Sequence, residues 1–350
     1  MTREDILAGE PGILPSQAIK ALINSRAITA SAEIPAEQVQ PASLDLRLGA
    51  SAFRVRASFL PGPDGKVGAK LDQFALHEID LGPGAVLEVG CVYVARVEER
   101  LALPPGIEAF ANPKSSTGRL DVFTRVIADG CHGFDQIPER YTGELYIEIC
   151  PQTFPVLVRA GSRLSQIRFR SGGPVAHAHE MPLSVDLGGT GAGSAYPVIG
   201  YRAKRHTGLI DMDREAAYDI DDFWEPIMVS PGKRLILDPD EFYILASREA
   251  VQVPPTHAAE MEPFNPLVGE FRVHYAGFFD PGFGVAEAGG QGSRAVLEVR
   301  SHKVPFILED GQVIGRLIYE RLSGAPDQLY GQRIGSHYQR QALKLSKHFR

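Results

Sequence analysis

The chain has 350 residues, enough for two domains with a core each, and a net charge of −7, which argues against nucleic-acid binding because that needs clustered Lys and Arg. Its three cysteines include no C-x-x-C pair, which favours a reducing compartment over a disulfide framework. The N-terminus lacks signal-peptide features, and no apolar run approaches the roughly 18 residues of a membrane span, so we expect a soluble cytoplasmic protein.

The first predicted element is a short helix near the N-terminus. Pro15 and Ser16 precede Ile19, Leu22 and Ile23, which recur at helical spacing, and Ser16 is the predicted N-cap. We expect this to be the one clear helix of the first half.

Short apolar runs broken by Gly and Pro follow, as in Ser43–Leu48, Val92–Val97 and Leu145–Ile149. Leucines alternate in the first run, which is typical of a half-buried strand. The chain has 36 Gly and 26 Pro, so turns are frequent. Frequent turns between short strands predict an all-β protein, an antiparallel sandwich or barrel.

The strand pattern lapses over residues 171–200, which we interpret as a connector between a first domain, 1–170, and a second, 201–350. Its glycine-rich stretch Gly188–Ser194 does not end in Gly-Lys-Ser/Thr and is therefore not a Walker A loop. A plain linker is the favoured interpretation, and a flap over phosphates is the alternative.

The two halves repeat each other. Aligning Glu148 with Glu298 places Gly143–Phe169 without gaps on Ser293–Tyr319, at an offset of 150 residues. This constant register indicates a duplicated fold.

The copies differ where the first reads Asn112–Arg119 and the second reads Glu262–Gly269. The first copy offers two cations, three hydroxyls and a glycine within Lys114–Arg119, a set suited to a triphosphate. A polar turn is the alternative interpretation. The apolar replacement in the other copy favours function, because a turn need not change so completely.

Glu148 and Glu298 each lie inside an apolar strand. On a solvated face such a glutamate is an ordinary surface charge. In a cleft, burial would raise its pKa and make it a candidate general base. The same register in both copies favours the second interpretation.

The C-terminal stretch carries Tyr330, His337, Tyr338 and Gln341 among basic residues. One interpretation is a lid over a bound nucleotide, and the other is a frayed terminus.

Metal-binding patterns are weak. Zinc-dependent deaminases need H-x-E with P-C-x-x-C, whereas His257 and Glu260 have the wrong spacing and no cysteine pair follows. His177 and His179 lie in the predicted connector, where we do not favour a metal site.

Several motifs together resemble the dCTP deaminase branch of the dUTPase superfamily. They are Pro41–Gly49, Lys114–Arg119, Phe279–Phe283, Val296–Glu298 and Tyr330–Gln341. The resemblance implies two tandem, distorted dUTPase-like β-barrels with a few short helices, and a nucleotide site between neighbouring barrels. It also implies zinc-independent hydrolysis of dCTP to dUTP and ammonia, with Mg²⁺ carried on the triphosphate.

By this resemblance Ser115 and Arg119 are catalytic, and Glu298 activates the water that attacks C4 of cytosine. The implied nucleotide contacts are Lys114, Ser116, Ala276, Asp280, Tyr330, His337 and Gln341.

Since the family takes the serine-arginine segment and the glutamate from different barrels, we expect one composite site per chain. Ser115 and Arg119 would come from the first barrel and Glu298 from the second, leaving Glu148 as a relic or an ancillary group. A homo-oligomer stays open, because single-barrel relatives assemble as trimers.

Two alternative functions also stay open. One is a dUTPase or a bifunctional enzyme, with Asp135 or Asp280 orienting a water at a phosphate. The other is a non-catalytic nucleotide sensor.

Overall fold

The structure is a computed structural model. It describes residues 9–173, 179–189, 197–263, 271–274, 277–288, 292–301, 303–331 and 343–350. Strands dominate, as the sequence predicts, and the all-β assignment is confirmed. Within these ranges no helix is long and apolar enough to cross a membrane.

The strands of the first half are β1 (Gly12–Ile13), β2 (Ile28–Ala30), β3 (Leu44–Val55), β4 (Ala75–Asp80), β5 (Ala85–Leu87), β6 (Val92–Ala102), β7 (Ile107–Pro113), β8 (Val122–Ala128), β9 (Gln136–Ile137), β10 (Thr142–Pro151), β11 (Val156–Val158) and β12 (Arg163–Ser171).

The strands of the second half are β13 (His179–Ser184), β14 (Val198–Ala203), β15 (Ile210–Asp211), β16 (Trp224–Met228), β17 (Arg234–Leu237), β18 (Phe242–Val251), β19 (His257–Pro263), β20 (Phe271–His274), β21 (Phe278–Phe279), β22 (Ser293–Ser301), β23 (Phe306–Glu309) and β24 (Val313–Arg321).

The α-helices of the described residues are α1 (Ser16–Asn24), α2 (Val67–Phe74), α3 (Ser115–Gly118) and α4 (Ile220–Phe223), and 3₁₀ turns form at Ala36–Gln38 and Ala286–Ala288. Two predictions were wrong. Pro15, not Ser16, is the N-cap of α1, because the fixed backbone of proline enters the helix without a capping side chain. The first half also contains α2, which the surrounding glycines and prolines hid from a periodicity search.

The first half forms a nearly closed barrel. Its main sheet runs in the order β8-β10-β6-β3-β12-β7-β9, with β1, β2 and β4 attached. Asp135 links the end strand β8 to β7 near the other end, because its amide donates to the Val126 carbonyl and its carbonyl accepts from the Ala111 amide. Such closure satisfies edge strands that would otherwise stay exposed.

The second half repeats this pairing. In β10 and β6, Ile149 pairs with Tyr93, and in β22 and β18, Val299 pairs with Tyr243. Its strands divide between the sheets β13-β24-β19-β21 and β16-β14-β18-β22-β20, with β17-β23 alongside. The internal repeat therefore corresponds to a repeated strand ladder.

Part of the predicted connector is a strand. β13 lies inside residues 171–200 and pairs with β24 at the edge of its sheet. Pro182 stands in the middle of β13, a position that proline tolerates only where one side of the strand needs no hydrogen bond. The proline and the flanking polar residues explain why the sequence pattern did not indicate a strand.

The two halves share an apolar interface. Trp224, Phe242 and Val296 of the second half pack into the hydrophobic core cluster of the first, as does Phe349 near the C-terminus. An apolar contact of this kind fixes the halves relative to one another more firmly than a wet, polar contact.

An ion pair borders this interface. Arg170 on β12 binds Glu320 on β24, with Nη2 2.8 Å from Oε2, and both side chains are largely buried. These two positions are equivalent in the repeat, since they differ by 150. The copies thus carry opposite charges at the same place and use them to bind each other.

The connecting segments after β3 and β14 pack differently. Residues 56–74, which include α2, fold over the first barrel itself, where Val67 and Leu71 pack against Val94 and Tyr146. Residues 204–223 of the second copy reach across instead, and β15 pairs with β11 in parallel.

Candidate active site

The segment Lys114–Arg119 forms a tight turn at the boundary between the halves. The Lys114 amide donates to the Leu164 carbonyl, and α3 begins at Ser115. Ser116 and Arg119 are buried, while Ser115 is half-buried. The turn thus holds a hydroxyl and a guanidinium side by side on the first half.

Glu298 faces this turn from the second half. It lies on β22 between Leu297 and Val299, whose side chains belong to the core of the second barrel. Because neighbours in a strand point to opposite faces, Glu298 points outward, toward the first half. Val296 and Arg300 share that face, and Arg300 binds Asp121 of the first half.

The Glu298 carboxylate meets the Arg119 guanidinium with Oε1 3.9 Å from Nε, and both side chains are buried. Burial raises the pKa of Glu298 to about 8, and the nearby charge of Arg119 opposes part of that rise. A carboxyl group that titrates near neutral pH is suited to accept and return a proton.

Cations collect at the other end of the turn. Lys114 binds the buried carboxylate of Asp45, and Arg163 approaches the same carboxylate at 3.7 Å. Arg163 also lies 3.6 Å from Glu37. Lysine and arginine held in this way at a cleft are suited to phosphate oxygens.

The opposite wall is the loop from Gly277 to Phe283. Tyr330 fastens to this loop, because its amide donates to the Pro281 carbonyl at 2.8 Å and its ring packs on Phe283. Asp280 is buried there, and burial raises the pKa of its carboxyl group.

These groups surround one cavity of about 350 Å³ between the halves. The predicted site residues that line it are Lys114, Ser115, Ser116, Arg119, Asp280, Glu298 and Tyr330. Ala276, His337 and Gln341 lie outside the described residues. The structure thus brings the two halves of the predicted composite site together, and the catalytic roles stay predictions.

Glu148 does not line this cavity. It is buried on β10, with the hydroxyl of Ser58 as a hydrogen-bonding neighbour, and burial raises the pKa of its carboxyl group. The segment that carries α2 covers this face of the first barrel. Asp135 is also elsewhere, since its carboxylate binds Arg125 at 2.9 Å in a separate groove.

Comparison with known families decides between the alternatives for the fold. The sequence model of the 2'-deoxycytidine 5'-triphosphate deaminase N-terminal domain matches residues 10–173, and that of its C-terminal domain matches 170–349. The chain belongs to the dCTP deaminase family.

Solved and curated proteins agree with this family. A crystal structure of 2'-deoxycytidine 5'-triphosphate deaminase from Agrobacterium tumefaciens is 58% identical, with a TM-score of 0.85, covering 89% of this chain and 99% of that one. The dCTP deaminase of Natronomonas pharaonis is 31% identical over 39% of this chain and 67% of its own length. A protein of Halobacterium salinarum named dCTP deaminase, dUMP-forming is 32% identical over 35% and 60%.

Sequence reasoning missed several residues of the cavity in this deaminase family member. Arg163, Gln166, Glu215 and Lys347 line the cavity, and Lys347 binds Glu215 at 2.7 Å. One signal was available. From Gln166 to Arg170, polar side chains alternate with apolar ones on β12. This alternation indicates a strand with one face on the hydrophobic core and a polar face that contacts another part of the protein or the solvent.

The last eight residues are not frayed. The Lys344 carbonyl accepts a hydrogen bond from Arg119 Nη1 at 3.0 Å, and the Ser346 hydroxyl donates to the Ser116 carbonyl at 2.8 Å. His348 is fully buried, with its Nδ1 2.9 Å from Ser346 Oγ. The terminus therefore supports the Lys114–Arg119 turn from behind.

Ser346→Ala is expected to raise the KM for dCTP about tenfold and to cost about 1–3 kcal/mol of stability, since it leaves buried polar groups at Ser116 and His348 without this partner. Steady-state kinetics and thermal unfolding measure both effects. Arg350→Ala is the matched control, because its ion pair with Asp219 is exposed and contributes little. An unchanged KM in Ser346→Ala would show that the terminus stabilises the fold without supporting the turn.

Proposed function

We propose that this protein hydrolyses dCTP to dUTP and ammonia at the composite cavity, without zinc. The observation that carries this proposal is the pair of Glu298 and Arg119, buried 3.9 Å apart across the boundary between the halves. The family supports the reaction, and the raised pKa of Glu298 supports its role as the base.

In the proposed mechanism Glu298 takes a proton from a water that Ser115 holds beside C4 of cytosine. The water oxygen bonds to C4, and the π electron pair of the C4=N3 double bond moves to N3, which gains a proton from Glu298 while the C4–N3 single bond stays intact. A second transfer through Glu298 moves the hydroxyl proton to the amino group. The C4–N4 bond then breaks, ammonia leaves, and C4 keeps the oxygen as a carbonyl.

Arg119 keeps Glu298 usable as a base. Burial alone would hold the carboxyl group protonated, and the guanidinium charge lowers its pKa toward neutrality. Because the pair is enclosed, this charge acts through a medium of lower polarity than water and is felt strongly.

The triphosphate is assigned to the cationic end of the cavity, with Lys114, Ser116 and Arg163 as its contacts. Mg²⁺ enters on the phosphates as part of the substrate. Within the described residues no cluster of three or more His, Cys, Asp or Glu side chains has the arrangement of a metal site.

Incubation of the purified chain with Mg-dCTP tests this proposal. Ammonia and dUTP are expected in equal amounts, and a zinc-selective chelator is expected to leave the rate unchanged. Ammonia release that stops with the chelator and returns with zinc would contradict the mechanism. Tight dCTP binding without ammonia would instead favour the nucleotide sensor.

A second candidate is a bifunctional enzyme that continues from dUTP to dUMP. Two observations favour it: relatives such as that of Halobacterium salinarum are named dUMP-forming, and the buried carboxylate of Asp280 lines the cavity. Pyrophosphate measured beside ammonia in the same assay separates the two candidates, since only the bifunctional enzyme releases both.

A further inference from the structure

Arg168 is a fully buried cation outside the Lys114–Arg119 turn. It lies on β12 of the first half with 2% of its surface exposed, and burial lowers the pKa of its guanidinium group. Its neighbours Ile167 and Phe169 point into the core of the first barrel, so Arg168 points out of that barrel. A buried charge is costly unless its partners compensate it, so those partners identify its role.

Among the described residues, the partners of the Arg168 side chain belong to the second half. Its Nη1 donates to the Ala259 carbonyl at 2.9 Å, and its Nη2 donates to the Phe279 carbonyl at 2.9 Å. The same Nη2 lies 3.2 Å from Asp280 Oδ1, and the guanidinium stacks 4.0 Å from the centre of the Phe278 ring.

Three of these four partners are consecutive residues of one cavity wall. Phe278, Phe279 and Asp280 all line the cavity, opposite the Lys114–Arg119 turn. The planar guanidinium contacts three groups of this wall at once: the Phe278 ring, the Phe279 carbonyl and the Asp280 carboxylate. These three contacts fix the position and the orientation of the loop relative to β12. A lysine offers a single charged point and cannot hold that geometry.

We propose that Arg168 is a positioning residue that holds the loop Gly277–Phe283, and we place the base of the nucleotide against the phenylalanines of this loop, so that the first half determines base selectivity in the second. This inference rests on the proposed function of the cavity. It assigns to the first half a task beyond the phosphates and the serine-arginine segment, and it requires Arg168 to affect recognition of the base but not of the phosphates.

Arg170 supplies a matched control. It lies two residues away on the same face of β12 and also crosses the boundary, where it binds Glu320. Its other ion pair is with Glu108 of its own half at 3.0 Å. Neither carboxylate belongs to the loop Gly277–Phe283. Arg170 also stacks 4.7 Å from the centre of the Phe110 ring, which meets Phe278 edge-on, so loss of Arg170 reaches the loop only through that ring, whereas Arg168 contacts the loop directly.

The experiment compares Arg168→Met, Arg168→Lys and Arg170→Met in the full chain. For each variant we measure kcat and KM for Mg-dCTP, and the inhibition constants of dUTP, which has a base, and tripolyphosphate, which has none. Arg168→Met is expected to lower kcat/KM about 100-fold, the loss that a misplacement of roughly 1 Å produces. It is also expected to weaken dUTP binding about tenfold, and to leave tripolyphosphate inhibition within about twofold. Arg168→Lys falls between Arg168→Met and the wild type.

Equal losses in Arg168→Met and Arg170→Met would overturn the proposal, since both would then act through adhesion of the halves. An equal weakening of dUTP and tripolyphosphate would overturn it as well. Should Arg168→Met not fold, Arg168→Lys decides, and an unchanged kcat/KM in that variant refutes the role. Failure of the proposed function has a different result, because the wild type would then release no ammonia. In that case the dissociation constants of dUTP and tripolyphosphate, measured by direct binding to each variant, still show whether Arg168 positions the loop.

Discussion

Glu298→Gln is expected to lower kcat for dCTP deamination by about 10³-fold, whereas Glu148→Gln leaves it within about threefold. The two glutamates occupy equivalent positions of the repeat, and both are buried with raised pKa values. They differ in what faces them. Glu298 meets Arg119 across the cavity, and Glu148 lies beneath the segment that carries α2. The isosteric amide removes the base in each case and leaves the shape unchanged.

Stability provides the control for this pair. The pKa of Glu298 lies above its ordinary value of 4.5, at about 8. Between those values the folded state binds more protons than the unfolded state, so stability falls as pH rises. Glutamine does not titrate, so the Glu298→Gln variant does not lose this stability as pH rises. Glu298→Gln is therefore expected to be more stable than the wild type at pH 8, by on the order of a few kcal/mol, and so to unfold at a higher temperature there. Near pH 4.5 the two proteins are expected to unfold at similar temperatures. Loss of activity in Glu148→Gln alone would sink the composite site.

Arg119→Met is expected to lower kcat/KM for dCTP by about 10²-fold near neutral pH. For the wild type, kcat/KM should rise with pH and level off near the pKa of Glu298, about 8. Arg119 lowers that pKa, so its removal should move the rise of kcat/KM to higher pH. A full pH profile of kcat/KM for dCTP measures the shift.

Arg119→Lys is the companion variant, because it keeps a charge near Glu298 but loses the planar group that donates to the Lys344 carbonyl. For Arg119→Lys we expect kcat/KM to rise over the same pH range as in the wild type but to reach a lower maximum. A rise of kcat/KM that stays at the same pH in Arg119→Met would mean that a group other than Glu298 governs the profile.

The duplicated fold could be predicted because it rests on register, whereas the composite site was predicted from the resemblance to a family that takes the serine-arginine segment and the glutamate from different barrels. One offset aligns Glu148 with Glu298, and the same offset relates Tyr93 to Tyr243 in the paired strands of the structure. Alternation along a strand then determines which side chains share a face, without knowledge of the rest of the fold. The serine-arginine segment stood out because the other copy lacks it.

The packing of the connecting segments and the role of Arg168 could not be predicted, because they depend on contacts between residues far apart in sequence. Residues 56–74 connect β3 to β4, and residues 204–223 lie between the paired strands β14 and β16, yet the first segment covers its own barrel and the second crosses to its neighbour. No local pattern distinguishes these outcomes, since each is decided by the surface that the segment meets. Arg168 was missed for the same reason, because a lone arginine in a strand is ordinary until its partners are known.

The ion pair between Arg170 and Glu320 has a consequence for assembly. In a symmetric oligomer of identical barrels, a contact between equivalent positions brings the same residue against itself, and a charge there repels. Joining two barrels in one chain lifts that restriction, so the copies were free to acquire opposite signs and a directed contact. With Arg170 in one barrel and Glu320 in the other, a contact between two first barrels or two second barrels would bring like charges together. The contact therefore favours pairing of a first barrel with a second one.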